Sequence, residues 1–161
     1  MRLQQVVAVT LLVQDMSDFP TVNKAYVSHF GKNPPVRVCV ECPVSTKVLL
    51  SAVGKQQSTI STMHVQSISH WAPANIGPYS QATWVDGVLH IAGQIGLIPG
   101  SMELPQDVGI QAKLAMQHLI RVINVYKLNA TNIVQVSRVY YVLPGQLVSI
   151  NFWLIKNPHI F

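Results

Sequence analysis

Charge is what this sequence has least of. Only 11% of its 161 residues are Asp, Glu, Lys or Arg, against 49% hydrophobic. That balance excludes a disordered chain, which lacks the apolar side chains to offset the entropy of ordering. The length suits one ordinary domain with a real core. So few charges on such a domain predict a homo-oligomer, with part of its surface covered by partner subunits. The 11 basic side chains outnumber the 6 acidic ones, but they are scattered singly with no Lys or Arg run. Without a basic cluster and interleaved aromatics, nucleic acid is not an expected partner.

Long hydrophobic runs are missing too. Nothing approaches the ~20 apolar residues that span a bilayer, so no membrane partner is expected. Met1-Arg2 followed by an apolar run has one positive charge and no small-residue cleavage site, which fits a buried strand better than a signal peptide. A cytoplasmic location is the expectation. Cysteine is sparse: the two present form Cys39-Val40-Glu41-Cys42. Residues three apart on a strand point to opposite faces, so these thiols can share neither a metal nor a disulfide without a turn between them. The histidines (His29, His64, His70, His90, His118 and His159) show no pair at metal-ligand spacing and read as surface or boundary residues.

What is present is strand, helix and punctuation. Residues 6–13 read as a buried strand. A helix should follow to about Phe30, capped by Ser17 or Asp18, with Pro20 in its first turn. Strands are predicted at 36–42 and 47–53, a polar connector at 54–61, and a weakly alternating segment at 63–69. Asp86-Gly87 marks a hairpin in which Val85, Leu89 and Ile91 share the buried face while Thr83 and His90 do not. The clearest helix is "DVGIQAKLAMQHLIRVINVYKL", with an apolar stripe at Val108, Ala112, Ala115, Leu119, Val122 and Tyr126. A last strand is predicted at 133–143, ended by Pro144-Gly145.

The segment "WAPANIGPYSQA" is constrained, uncharged and polar-tipped, which suits a shaped site or a strand entry better than a linker. The first and last strand regions, "LQQVVAVTLLVQDM" and "TNIVQVSRVYYVLPG", share a polar–apolar order. The chain therefore reads as the back half of one repeated unit (1–55), a linker (56–65) and the front half of the next (66–145). Residues 146–161 fit no element expected next and read as an atypical or disordered tail.

Three stretches, "APANIGPYSQA", the hairpin end "IAGQIG" and "DMSDFPTVNKAY" with "PVRVCVEC", resemble the RidA family, also called YjgF or L-PSP endoribonuclease-like proteins. The resemblance runs from about residue 4 to 143. It implies a chorismate-mutase-like α+β fold, with helices on one face of a mixed sheet, trimeric assembly and ligand clefts between subunits. Arg37 matches the family arginine that grips a small carboxylate, a two-pronged contact that lysine cannot make. Tyr79 would line the same cleft, Gly93 would bring its backbone N–H to the ligand, and Asn23 matches a cleft asparagine.

Departures from the family pattern bear on catalysis. Deaminating members carry glutamates in the last strand of the unit to move protons. Here Leu49 and Ser51 stand at those positions, and Ala92 replaces the family serine before Gly93. The chain also resembles the tandem C-terminal region of long-form diphthine–ammonia ligases. That resemblance implies a part in diphthamide biosynthesis on elongation factor 2. ATP would be needed only by a separate ligase domain, because no phosphate-cradling loop occurs in this sequence. No cofactor is expected. Enamine/imine deamination is the alternative reading, and RNA binding or ribonuclease activity a further one.

Overall fold

The structure is a computed structural model describing residues 2–56, 58–65, 67–140 and 149–156. Strand β1 (Val6–Val13) lies between β2 (Val36–Glu41), which runs parallel to it, and β3 (Val48–Gly54), which runs antiparallel. Central position explains its near-continuous apolar run, since a strand covered on both faces has no use for alternation. Val9 and Leu11 pack with Tyr26 of helix α1 (Phe19–Val27), with Val22, Phe30 and Cys39 around them. Neither Ser17 nor Asp18 caps this helix. Asp15 accepts a hydrogen bond from Ser17 N at 2.8 Å, and Glu41 accepts one from Met16 N at 2.7 Å. The end of β2 is thereby tied to the entry of α1.

A second sheet runs β4 (Ser61–Met63), β5 (Ala82–Val85), β6 (Val88–Ile91), β9 (Ser149–Lys156) and β7 (Gln94–Ile95), with β8 (Ile133–Tyr140) pairing β9. Asp86 at φ 46° and Gly87 at φ 77° form the tight turn between β5 and β6, the left-handed pair that a two-residue hairpin demands. Helix α2 (Val108–Val125) opens on Asp107, whose side chain accepts from Ile110 N at 2.8 Å. Its Ala115, Leu119, Val122 and Ile123 bury against Ala82, Leu89 and Ile91. Each fully buried leucine or isoleucine there stabilises the fold by about 2 kcal/mol.

The hairpin differs from expectation in its faces. Leu89 and Ile91 look toward α2, whereas Val85 lies on the opposite side and packs with Val7, Ala8, Val36 and Ala92. Thr83 and His90, predicted outside the core, are buried as well, because the first sheet covers that second face. His118 is fully buried too, contrary to a surface reading, with Nε2 2.8 Å from the Leu97 carbonyl. The strand expected within 63–69 falls instead at Ser61–Met63, and α1 stops at Val27. Part of the supposed tail is β9, because Ser149–Lys156 finds free edges on β6, β7 and β8. The predicted last strand is seen as far as Tyr140, and Pro144-Gly145 lies outside the described residues.

Hydrogen bonds join the two sheets along one seam. Ser80 N donates to Pro35 O at 3.2 Å and Gly93 N donates to Arg37 O at 3.3 Å. A parallel bridge pairs Val36 with Ser80.

Candidate functional site

Arg37 is the centre of the site. On β2 it stands opposite Val9 and therefore on the face beneath α1. Its Cζ lies 4.8 Å from the Tyr26 ring centroid and 5.5 Å from those of Phe19 and Tyr79. Those π faces attract a cation as water would, without supplying hydrogen-bond acceptors. The residue is 4% exposed, and its Nη1 has no hydrogen-bond partner among the described residues. Asn23 Oδ1 and Tyr26 OH are likewise buried without partners. Burial pushes the guanidinium below its ordinary value, with Cys39, Tyr26 and Tyr79 acting against that shift. The same burial raises the Cys39 thiol and the Tyr79 phenol.

The loop before β5 is shaped to lie on this arginine. A Cβ on Gly77 would sit 2.5 Å from Arg37 Nη2 and 3.3 Å from Asn23 Oδ1, so any larger residue would have to displace the guanidinium. The Tyr-Ser-Gln triplet divides its tasks. Tyr79 covers the guanidinium. Ser80 Oγ donates to Pro34 O and lies 3.2 Å from His64 Nε2. Gln81 Oε1 accepts from Val65 N at 2.8 Å, holding the loop against the strand before it. Asn75 adds a side-chain bond to Tyr79 O.

Three of the four predicted residues thus gather: Arg37, Asn23 and Tyr79. Gly93 reaches the same residue by another route, because its N–H goes to the Arg37 carbonyl rather than to an open space. Tyr79 and Gly93 line a void of about 20 Å³, room for about one water, which Arg37 and Asn23 do not border. The guanidinium is shut in by its cage in the single chain. Sequence reasoning missed Glu41, legible only as part of a strand, whereas Gly77 lies in the constrained segment it singled out, beside Tyr79.

Leu49 and Ser51 pair with Leu12 and Thr10, which places them on the sheet face opposite Arg37. Both are exposed, and Ala92 is fully buried. No ion pair joins Arg37 to a carboxylate among the described residues. The titratable groups that act on the guanidinium are Cys39, Tyr26 and Tyr79, each pushed toward its neutral form by burial.

The endoribonuclease L-PSP family model matches residues 1–50 and 69–142. This chain belongs to that family. A diphthine–ammonia ligase of Schizosaccharomyces pombe is 43% identical over 118 residues, covering 71% of this chain and 20% of the ligase. A 2-iminobutanoate/2-iminopropanoate deaminase of Bos taurus is 40% identical over 67 residues, covering 41% of this chain and 49% of the deaminase. The chain therefore spans about a fifth of the ligase's length and half of the deaminase's. A crystal structure of a candidate endoribonuclease L-PSP from Entamoeba histolytica superposes with a TM-score of 0.50 at 17% identity, covering 62% of this chain and 100% of that one. The α+β fold is that of this family. Among the described residues no helix is long and apolar enough to cross a membrane.

Proposed function

We propose that this chain is a carboxylate-binding and assembly module of the kind carried by diphthine–ammonia ligases, serving diphthamide biosynthesis without catalysing a step itself. The observation that carries the reading is the Arg37 cage: a buried guanidinium with aromatic walls and, among the described residues, an unpaired Nη1 and no acidic partner. A buried cation left unpaired is costly unless a ligand completes it. The positions that would supply proton carriers hold Leu49 and Ser51 on the far face of the sheet. Any ATP chemistry would belong to a separate ligase domain, and no cofactor is assigned to this one.

On this reading residues 1–55 and 66–145 are the back and front halves of successive units, joined by 56–65. The break in the family match at 51–68 supports that division. Association into a trimer-like homo-oligomer in the cytoplasm accounts for the scarcity of charge. Because the cage is closed, a carboxylate reaches Arg37 only when the loop bearing Gly77 and Tyr79 moves away.

Titration with 2-oxobutanoate, followed by amide NMR shifts, is the direct test. Saturable binding is expected, and Arg37→Lys should weaken it about tenfold by removing the two-pronged contact. No saturable binding to the native chain sinks the proposal. The second reading, imine deamination, is favoured by the likeness to the cattle deaminase. Hydrolysis of a 2-imino acid generated in situ, above the uncatalysed rate, would replace the first reading with the second.

A further inference from the structure

A larger cavity, of about 350 Å³, opens between the start of β1, the connection from α1 to β2, and the β4–β5 pair. It shares no lining residue with the rings around Arg37, although Phe30, which walls it, also lies 4.6 Å from Tyr26, centroid to centroid. The volume falls at the lower end of small-metabolite pockets. Its lining is chemically lopsided. Lys32, His29 and Asn33 are exposed where they line it, and among the described residues no carboxylate lines the cavity. Phe30 and Ile60 give it apolar walls. Thr62 and Thr83, opposite one another in register, lie on one face of the sheet that closes it.

Thr83 is the second observation. It is fully buried, yet its Oγ1 has no hydrogen-bond partner among the described residues. Valine has almost the same shape and suits a strand equally well. A buried hydroxyl without a partner destabilises the fold relative to that isostere. Among the described residues none lies within hydrogen-bond distance of Thr83 Oγ1, and a ligand in the cavity reaches that hydroxyl once the wall over it gives slightly. A hydroxyl group can both donate and accept, so an alcohol is its natural complement.

We propose that this cavity binds a short hydroxy acid, with the carboxylate at Lys32 and His29 and the hydroxyl against Thr83. The apolar walls then enclose the carbon chain between the two ends. The site is separate from Arg37 and does not depend on the function proposed for it.

The test is an amide NMR titration of the full chain with 5-hydroxypentanoate and, in parallel, with pentanoate. Saturable shifts are expected at Thr62, Thr83 and residues 29–33, with the hydroxy acid binding about fivefold more tightly. Thr83→Val should erase that preference while raising the unfolding midpoint. Lys32→Gln, an exposed change that leaves folding intact, should weaken both acids alike. The proposal is overturned by shifts confined to Gly77, Tyr79 and Gly93, which would place the anion at Arg37. It is overturned equally by shifts that never saturate, or by a Thr83→Val chain that keeps the preference.

Discussion

Strands β1 and β8 begin alike. Each follows a three-residue 3-10 turn, Leu3–Gln5 before β1 and Ala130–Asn132 before β8. In the first turn Gln5 Oε1 accepts from Arg2 N at 2.6 Å, and in the second Asn132 Oδ1 accepts from Asn129 N at 3.0 Å. Both strands then carry β-branched residues over eight positions. Their surroundings diverge. β1 is central, with α1 on one face and the second sheet on the other, and Leu11 is 1% exposed. β8 pairs with β9 alone, leaving Val134 at 64% and Val136 at 45% exposure. The same local code therefore specifies turn and strand twice, while burial is conferred by whichever elements arrive to cover them.

Core truncation breaks this comparison most sharply. Leu11→Ala should cost about 3 kcal/mol of unfolding free energy, from lost transfer and the cavity left behind. Val136→Ala should stay within about 0.5 kcal/mol. Urea midpoints at unchanged slope measure both. A comparable loss from Val136 would mean that β8 is covered in solution, contrary to its surroundings here.

Acid should separate the two regions next. The buried histidines, His90 and His118, belong to the second sheet and α2. Desolvation holds His118 below 6.5, countered by its bond to the Leu97 carbonyl and reinforced by Arg121. The folded protein refuses a proton that the unfolded chain accepts. Its contribution is full above 6.5 and is lost as pH falls below that value, with a slope of up to about 1.4 kcal/mol per pH unit for one proton. Unfolding curves across that range should show the decline, and His118→Gln should flatten it.

Capping differences are finer. Gln5→Ala and Asn132→Ala each remove an equivalent turn contact and should each cost about 0.5 kcal/mol. Unequal losses would show that the turn before β1 is held by packing rather than by its own hydrogen bond. The exposed Lys55–Asp86 pair, 3.2 Å apart, joins the connector after β3 to the β5–β6 turn. Lys55→Ala should change stability by less than about 0.5 kcal/mol, read as a midpoint shift that disappears in high salt.

Elements set by local chemistry were legible in the sequence: the Asp86-Gly87 turn, the apolar run of β1 and the middle of the α2 stripe, where Ala115, Leu119 and Val122 are buried while Val108, at its start, is exposed. The faces of the hairpin were legible as well but misassigned: a two-residue turn pairs Val85 with Val88, so alternation alone puts Leu89 on the other face. His118 was misjudged for a different reason, since its buried place depends on the Leu97 carbonyl, 21 residues away in sequence. β9 could not be anticipated because it is defined by edges that distant strands leave open. At the candidate site, the family motif named Arg37, Asn23 and Tyr79, and they do lie together. That Gly93 would spend its N–H on Arg37 itself, and that the guanidinium would be enclosed, required coordinates.

The bond from Gly93 to the Arg37 carbonyl also has a temporal side. The acceptor leaves the ribosome 56 residues ahead of its donor. At about 5–20 residues per second, that is a wait of roughly 3–11 s. Throughout it, the nascent β1–β2 surface formed by Val7, Ala8 and Val36 lacks the Val85 and Ala92 that will cover it. Newly made chains should therefore be most prone to clump, or to call on chaperones, just before the hairpin emerges.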